Sequence, residues 1–174
     1  MATAGQRFTM PDGSVYIVRH PAAESDGAFV EMEFVLPPGC VPAAAARPSP
    51  SGRGLRGPAG PLRRRPGRQW STLAPGESAS VPVGVLHTFR NRSGETVHVR
   101  NRHTPAMRFE EFIERTCRTL QAVGVKRKRD PRVPLYLSMV MLDFDETLYP
   151  GRARERLPMK ALASIARRLP APAS

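Results

Sequence analysis

The sequence predicts a mainly β fold over residues 1–105, a sandwich or small barrel, followed by a helical extension over residues 106–174. Short segments rich in β-branched and aromatic residues, separated by turns that contain Gly or Pro, predict strands in the first part. Strands this short, at this spacing, favour a sandwich or barrel over alternating strands and helices. From Met107 onward the apolar residues recur with a helical period instead, so we expect strands to give way to helices there.

The clearest predicted strands lie near the N-terminus. The segment GSVYIVRH, residues 13–20, follows an Asp-Gly turn signal. The segment AFVEMEFVL, residues 28–36, alternates between Val30, Met32 and Phe34 on one face and acidic residues on the other. This period of two predicts one buried face. We interpret the acidic face as solvated rather than as paired carboxylates for acid–base catalysis.

Three helices are predicted in the extension, over residues 107–124, 133–149 and 153–169. The first ends at Gly124, since glycine is a common helix terminator. Its apolar face consists of Phe109, Phe112, Ile113, Leu120 and Val123. Pro134 suits the first turn of the second helix, where a missing N–H costs nothing. We expect the apolar face of the first helix to pack across the β domain or at a homodimer interface.

Much of the positive charge is concentrated in one stretch, AAAARPSPSGRGLRGPAGPLRRRPGR, at residues 43–68. The chain has 174 residues and a net charge of +12, and this stretch contributes seven arginines and no acid. It carries no apolar period, yet it lies between two segments that predict strands. Neither this stretch nor the KRKR run at 126–129 contains interleaved aromatic residues, so nucleic-acid binding is not expected.

The sequence predicts a soluble, cytoplasmic protein without a membrane segment. Its N-terminus has no apolar core of the kind found in signal peptides. The longest apolar run, VPLYLSMVML at 133–142, is about half as long as a membrane-spanning helix. Cys40 and Cys117 have neither metal-site spacing nor the density of a disulfide scaffold, and we interpret them as buried or idle thiols.

The most specific motif lies in GESASVPVGVLHTFRN, residues 76–91. Its spacing, G-x5-P-x-G-x2-H-x3-N, resembles the second signature motif of the cupin family, with every fixed position filled. Those positions are Gly76, Pro82, Gly84, His87 and Asn91. The glycines permit tight turns, the proline closes a strand, and the asparagine is placed to hold a turn through backbone hydrogen bonds.

The resemblance implies a cupin-like jelly-roll barrel, or double-stranded β-helix, with a site inside it and Phe89 in the core or pocket wall. In metal-binding cupins the counterpart of His87 is one ligand of a divalent Fe, Mn, Zn or Ni ion. The other ligands are two histidines and a glutamate from a first motif, G-x5-H-x-H-x3,4-E-x6-G, which should fall within residues 43–68. No histidine occurs from position 21 to position 86.

We interpret residues 43–68 as a stretch read out of frame. If the last two bases of each codon are read with the first base of the next, the genetic code permits PPPHVHPHQxEDYEVLxG from position 43. The spacing H-x-H-x4-E-x6-G appears in it, with histidines at positions 46 and 48 and a glutamate at position 53. Two opposite single-base errors, near the alanine run and near Arg68, would leave the length unchanged. The alternative is a genuine basic loop insertion.

As written, this stretch cannot bury enough apolar area to fix its backbone. We therefore expect it to be disordered or poorly packed, the barrel to be incomplete, and the neighbouring strands to have open edges. One imidazole does not hold a divalent ion, so we expect His87 to be insufficient and the chain as written to carry no cofactor.

These features favour a barrel that binds a small molecule and that depends on a metal in an intact relative. The fold does not select a reaction. One alternative is a non-enzymatic regulatory or binding module. A remote alternative arises from MVMLDFDETLYPG at 139–151, which resembles the nucleophile motif of haloacid-dehalogenase-type phosphatases, with Asp143 as nucleophile and Asp145 as acid–base group. Only 27 residues follow Thr147, too few for the parallel α/β domain of that fold.

Overall fold

The computed structural model describes residues 2–40, 46–48, 52–59, 62–66, 69–83, 85, 87–127, 130–150 and 156–169. The strands are β1 (Arg7–Thr9), β2 (Val15–His20), β3 (Val30–Leu36), β4 (Ala46–Pro48), β5 (Gly52–Ala59), β6 (Leu62–Pro66), β7 (Ser71–Leu73), β8 (Ser78–Val81), β9 (His87–Arg90), β10 (Val97–Thr104) and β11 (Leu148–Pro150). The helices are α1 (Phe109–Ala122), α2 (Arg132–Asp143) and α3 (Arg156–Arg168), with a short 3-10 helix at Ala22–Ser25.

The strands form two antiparallel sheets. The first has the order β1-β2-β3-β10-β5-β8, and the second has the order β11-β4-β9-β6-β7. Between β3 and β10 the chain crosses repeatedly from one sheet to the other. This path, with two sheets packed around one interior, is the jelly-roll arrangement, and it confirms the mainly β class predicted from the spacing of the short strands.

The buried face of β3 is the one predicted from its alternation. Val30, Met32, Phe34 and Leu36 are all buried, and the residues between them are partly exposed. The Phe34 ring lies 6.0 Å from the ring of Phe89 on β9. The inward faces of the two sheets therefore meet in one apolar core.

Helix α1 packs against the barrel, as expected from its apolar face. Phe109, Phe112 and Ile113 belong to the same buried cluster as the core residues of β3 and β10. The helix ends just before Gly124, whose φ of +66° is the left-handed conformation that glycine adopts readily. A homodimer through this face stays a prediction, and the face is already buried within its own chain.

Helix α2 is shorter than predicted, because it ends at Asp143 rather than at 149. Residues 148–150 instead form β11, which pairs with β4. The acidic run DFDE begins at this point, and carboxylates are unfavourable at the negative end of a helix dipole. Helix α3 is confirmed close to its predicted bounds.

The largest departure from expectation lies within residues 43–68. Positions 46–48, 52–59 and 62–66 form strands, and β5 pairs with both β10 and β8. The expectation that the neighbouring strands have open edges is therefore wrong for these positions. Backbone hydrogen bonds do not depend on side-chain identity, so β9 and β10 can pair with a Gly- and Arg-rich segment of the right length. The other positions of this stretch lie outside the described residues, and the prediction of poor packing stays a prediction.

Cys40 and Cys117 are buried and unlinked. In the described part of the chain, no helix has both the length and the apolar character needed to cross a bilayer.

Candidate ligand site in the barrel interior

Among the residues that the structure describes, three buried polar side chains lie on the inward faces of the sheets, among apolar residues. His87 begins β9 and is 4% exposed, whereas Asn101 and His103 lie on β10 and are fully buried. Strand β10 alternates strictly between buried and exposed residues. Val97 and Val99 share the inward face with Asn101 and His103, so these polar groups face the same interior as the core.

The imidazole of His87 is oriented by the backbone. Its Nδ1 lies 3.0 Å from the carbonyl oxygen of Val85 and donates to it. In a neutral ring this bond keeps the proton on Nδ1, so Nε2 carries the lone pair. Nε2 is then the nitrogen able to bind a metal ion or accept a proton.

The described donor atoms do not fit a divalent metal ion. Positions 46 on β4 and 66 on β6 are the register partners of His87. They hold Ala and Pro, which have no donor atom in their side chains. Among the described residues, no group of three His, Cys, Asp or Glu side chains is arranged to hold a metal. A stable site needs three or four ligands.

Asn91 joins the strand ends around the site. It is fully buried, and its Nδ2 donates to the carbonyls of Leu36, Pro37 and Glu95 at 2.9, 3.1 and 2.7 Å. Its Oδ1 accepts hydrogen bonds from the backbone N–H and the hydroxyl of Ser93 at 3.0 and 2.7 Å. Asn91 thus holds the turn between β9 and β10 against the end of β3, which is the turn-holding geometry expected from the motif.

The other motif positions shape the turns before β9. Gly76 has φ +82°, which favours glycine. Pro82 follows β8 and its carbonyl accepts a hydrogen bond from the N–H of Val85 at 3.3 Å. Phe89 is buried and faces inward, in agreement with a place in the core or pocket wall. Gly84 lies outside the described residues.

The sequence analysis did not identify Asn101 or His103. The His103 ring stacks on Phe109 of α1, with centroids 3.7 Å apart and planes at 13°. The signal was present in VHVRNRHT, where two valines mark one face and His98, Arg100 and Arg102 mark the other. Extending that alternation by four residues places the asparagine and the second histidine inside.

The acidic residues of β3 lie outside the barrel. Glu31 accepts a hydrogen bond from Arg100 at 2.8 Å. Glu33 accepts hydrogen bonds from His98 Nδ1 and Arg19 Nε, each at 2.8 Å. The bond from His98, together with that from Arg19, lowers the pKa of Glu33 below its usual value. These contacts confirm the interpretation of a solvated face.

The phosphatase hypothesis finds no support in the described geometry. Asp143 ends a helix, whereas that chemistry requires the nucleophile at the end of a strand in a parallel sheet. Arg167 donates to Asp143 at 2.7 Å, and Arg156 donates to Asp145 at 2.6 Å. Both carboxylates thus link the end of α2 to α3.

Comparison with known proteins reveals similarity in structure. No protein-family model matches the chain, and no curated protein matches it significantly in sequence. A predicted oxalate decarboxylase from Thermotoga maritima has a TM-score of 0.52, with 10% identity over 59% of this chain and 92% of its own. An RmlC-like cupin from Shewanella frigidimarina has a TM-score of 0.50, with 12% identity over 59% of this chain and 85% of its own. The Cupin_2 domain of an XRE-family transcriptional regulator from Enterobacter cloacae has a TM-score of 0.48, with 20% identity over 52% of this chain and 95% of its own.

The two packed antiparallel sheets and the path of the chain between them define a double-stranded β-helix. The chain has the cupin fold, which confirms the class expected from the motif at 76–91. At these identities the similarity concerns the fold, and the helical extension lies beyond the part expected to share it.

Proposed function

We propose that this protein binds a small molecule inside its barrel, and that its first motif is coded out of frame over residues 43–68. The observation that carries the proposal is the register of the strands around His87. The genetic code leaves several residue choices at each step of the shifted reading, and the register supports the choices that complete the motif because those positions lie on inward faces of the sheets.

Position 46, a histidine in the shifted frame, is the register partner of His87 on the neighbouring strand. Directly opposite positions in an antiparallel pair share one face of the sheet. Because His87 is buried, position 46 lies on the inward face. Position 48, the second histidine of the shifted reading, lies two residues further along β4 and so shares that face.

Position 53, the glutamate of the shifted reading, lies on the inward face of the other sheet. Its register partners are His103 on β10 and Val81 on β8. Both partners are buried. The shifted frame therefore puts two histidines and a carboxylate on inward faces, in the barrel that also contains His87. Imidazole and carboxylate donors in this number suit a divalent ion.

Arg64 provides separate evidence that this stretch does not fit its strand. It pairs with the buried Phe89, and its Nε is buried with no hydrogen-bond partner in the described part of the chain. An unpaired buried guanidinium nitrogen costs free energy, and native sequences seldom leave one. A charged side chain at an inward register position is a conflict between sequence and fold.

Resequencing the gene across codons 40–70 tests the frame directly. We expect the coding sequence behind the chain as written to hold one extra base near the alanine run and to lack one base near Arg68. A coding sequence that agrees base for base with the chain as written would overturn the frame proposal in favour of a genuine insertion.

The metal content of the frame-restored protein tests its function. We expect about one equivalent of a divalent transition metal by elemental analysis of the purified protein. His87→Ala should abolish that metal. The matched control His98→Ala, on the outer face of β10, should retain it. A restored, folded chain without metal would favour the non-enzymatic binding module instead.

A further inference from the structure

The side chain of Asn101 is fully buried, and neither its Nδ2 nor its Oδ1 has a hydrogen-bond partner within the described part of the chain. Leaving a buried amide group unsatisfied costs free energy at both the donor and the acceptor. Native structures seldom tolerate this without a ligand, an ion or a water at the site. Asn101 therefore points to an occupant of the barrel interior.

The other fully buried asparagine of the chain provides an internal comparison. Asn91 satisfies its amide nitrogen with three carbonyls and its oxygen with Ser93. Asn91 therefore has a structural role, because its hydrogen bonds hold the turn after β9. Asn101 lies mid-strand, away from any turn, and makes no such bond. A structural role for its carboxamide is therefore not apparent from its contacts.

The described inward residues beside Asn101 on β3 and β10 are uncharged. Met32 is its register partner on β3. Val99 and His103 precede and follow it on the inward face of β10. The described inward residues of β3, β9 and β10 include no carboxylate, ammonium or guanidinium group. A carboxylate ligand would offer no donor to the Oδ1 of Asn101, so it would satisfy only one of the two polar atoms of this side chain.

We infer that Asn101 binds the ligand through a neutral amide group. A carboxamide presents one donor and one acceptor side by side, and the complementary partner is another amide or a lactam. The ligand thus combines one amide with an apolar body that fits against Met32 and Val99. This inference deepens the proposed function and rests on a small molecule occupying the barrel.

Binding of small probes to the wild-type chain tests the ligand class. We choose benzamide and acetamide as neutral amides, toluene as an apolar probe without a polar group, and benzoate as an anion. Affinities follow from ligand-observed NMR titration. We expect benzamide to bind at least about tenfold more tightly than toluene, as two added hydrogen bonds predict, and benzoate to bind more weakly than benzamide.

The variant Asn101→Leu tests the residue itself, because leucine nearly preserves the shape and removes both polar atoms. We expect the preference for benzamide over toluene to fall by about tenfold or more. Without ligand, the variant should melt about 2–8 °C above the wild type, since the unsatisfied amide is gone. The matched variant Asn91→Leu should melt below the wild type, because it breaks satisfied bonds.

The outcomes separate this inference from the proposed function. If toluene binds the wild type as tightly as benzamide, or Asn101→Leu retains the amide preference, the barrel binds small molecules but the amide assignment is wrong. If no probe binds the wild type, both the assignment and the small-molecule site are overturned. The comparison of probes on the wild type does not depend on how well either variant folds.

Discussion

At the scale of single residues, the two buried asparagines show how one side chain type can serve a turn or a site. Asn91 could be assigned to its turn from sequence, because the motif spacing places it after a strand and before Ser-Gly. Asn101 could not be assigned in the same way. Asn101 is notable because both polar atoms of its side chain lack hydrogen-bond partners in the described part of the chain. This can be recognised only when the positions of the neighbouring strands are known.

Glu33 on the outer face of the barrel accepts hydrogen bonds from His98 and Arg19, and this predicts a pH-dependent contribution to stability. These partners lower its pKa relative to the unfolded chain. A lowered folded-state pKa contributes stability above the unfolded pKa, and that stability is lost as the carboxylate protonates on acidification. The contribution should therefore be present at pH 7 and fade as the pH falls below about 4.5.

The measurement is thermal unfolding of the wild type and Glu33→Gln between pH 3 and pH 7. We expect the wild type to melt higher at neutral pH and the difference to shrink towards pH 3. The exposed Glu95 provides the control, since a substitution at a surface position, Glu95→Gln, should change the melting temperature only slightly. A Glu33→Gln difference that is equally large at pH 3 would show that charge is not its cause.

At the scale of elements, the strand β10 connects the sheet, the site and the first helix. It pairs with β3 on one side and β5 on the other. Its inward His103 stacks on Phe109 of α1. The helix is therefore part of the barrel core, although the sequence marks it as the start of a separate helical extension.

This coupling predicts that α1 stabilises the barrel. Phe109 is 2% exposed, and Phe109→Ala removes both its core volume and its stack on His103. We expect a loss of about 3–5 kcal/mol in the free energy of unfolding, measured by urea denaturation. Ile165 on α3 is 50% exposed, and Ile165→Ala should change that free energy by no more than about 0.5 kcal/mol. Equal small effects would show that α1 does not share the barrel core.

Some strands and helices were predicted from the sequence more accurately than others, and the differences have physical reasons. Strand β3 and helix α1 were predicted well, because their apolar residues recur with the period of the element. The end of α2 was misplaced, since an apolar run continues up to Asp143 and the acidic residues that end it act through the helix dipole. The sequence at 46–66 shows no period of apolar side chains. These strands form because their backbones pair with the unpaired edges of β9 and β10, which the sequence pattern does not reveal.

At the scale of the whole molecule, one strand of the barrel has a composition that is unfavourable for β structure. Strand β5, GRGLRGPA, contains three glycines and a proline among eight residues. Proline cannot donate to the ladder, and interior glycines weaken a strand. The β3 side of β10 is instead supported by four buried apolar residues. The two sides of β10 should therefore differ in local stability, even though both are paired.

Amide hydrogen exchange measures that difference directly. We expect amides of β5 and β6 to exchange at least about tenfold faster than those of β3, because local opening is easiest where little apolar surface is buried. Strand β10 should show intermediate protection, since its bonds to β3 survive opening of β5. The frame-restored chain is the control, and its β5 and β6 should approach the protection of β3. Equal protection of β3, β5 and β6 in the chain as written would show that the basic stretch is a true part of the barrel, and it would leave the shifted frame without a physical consequence.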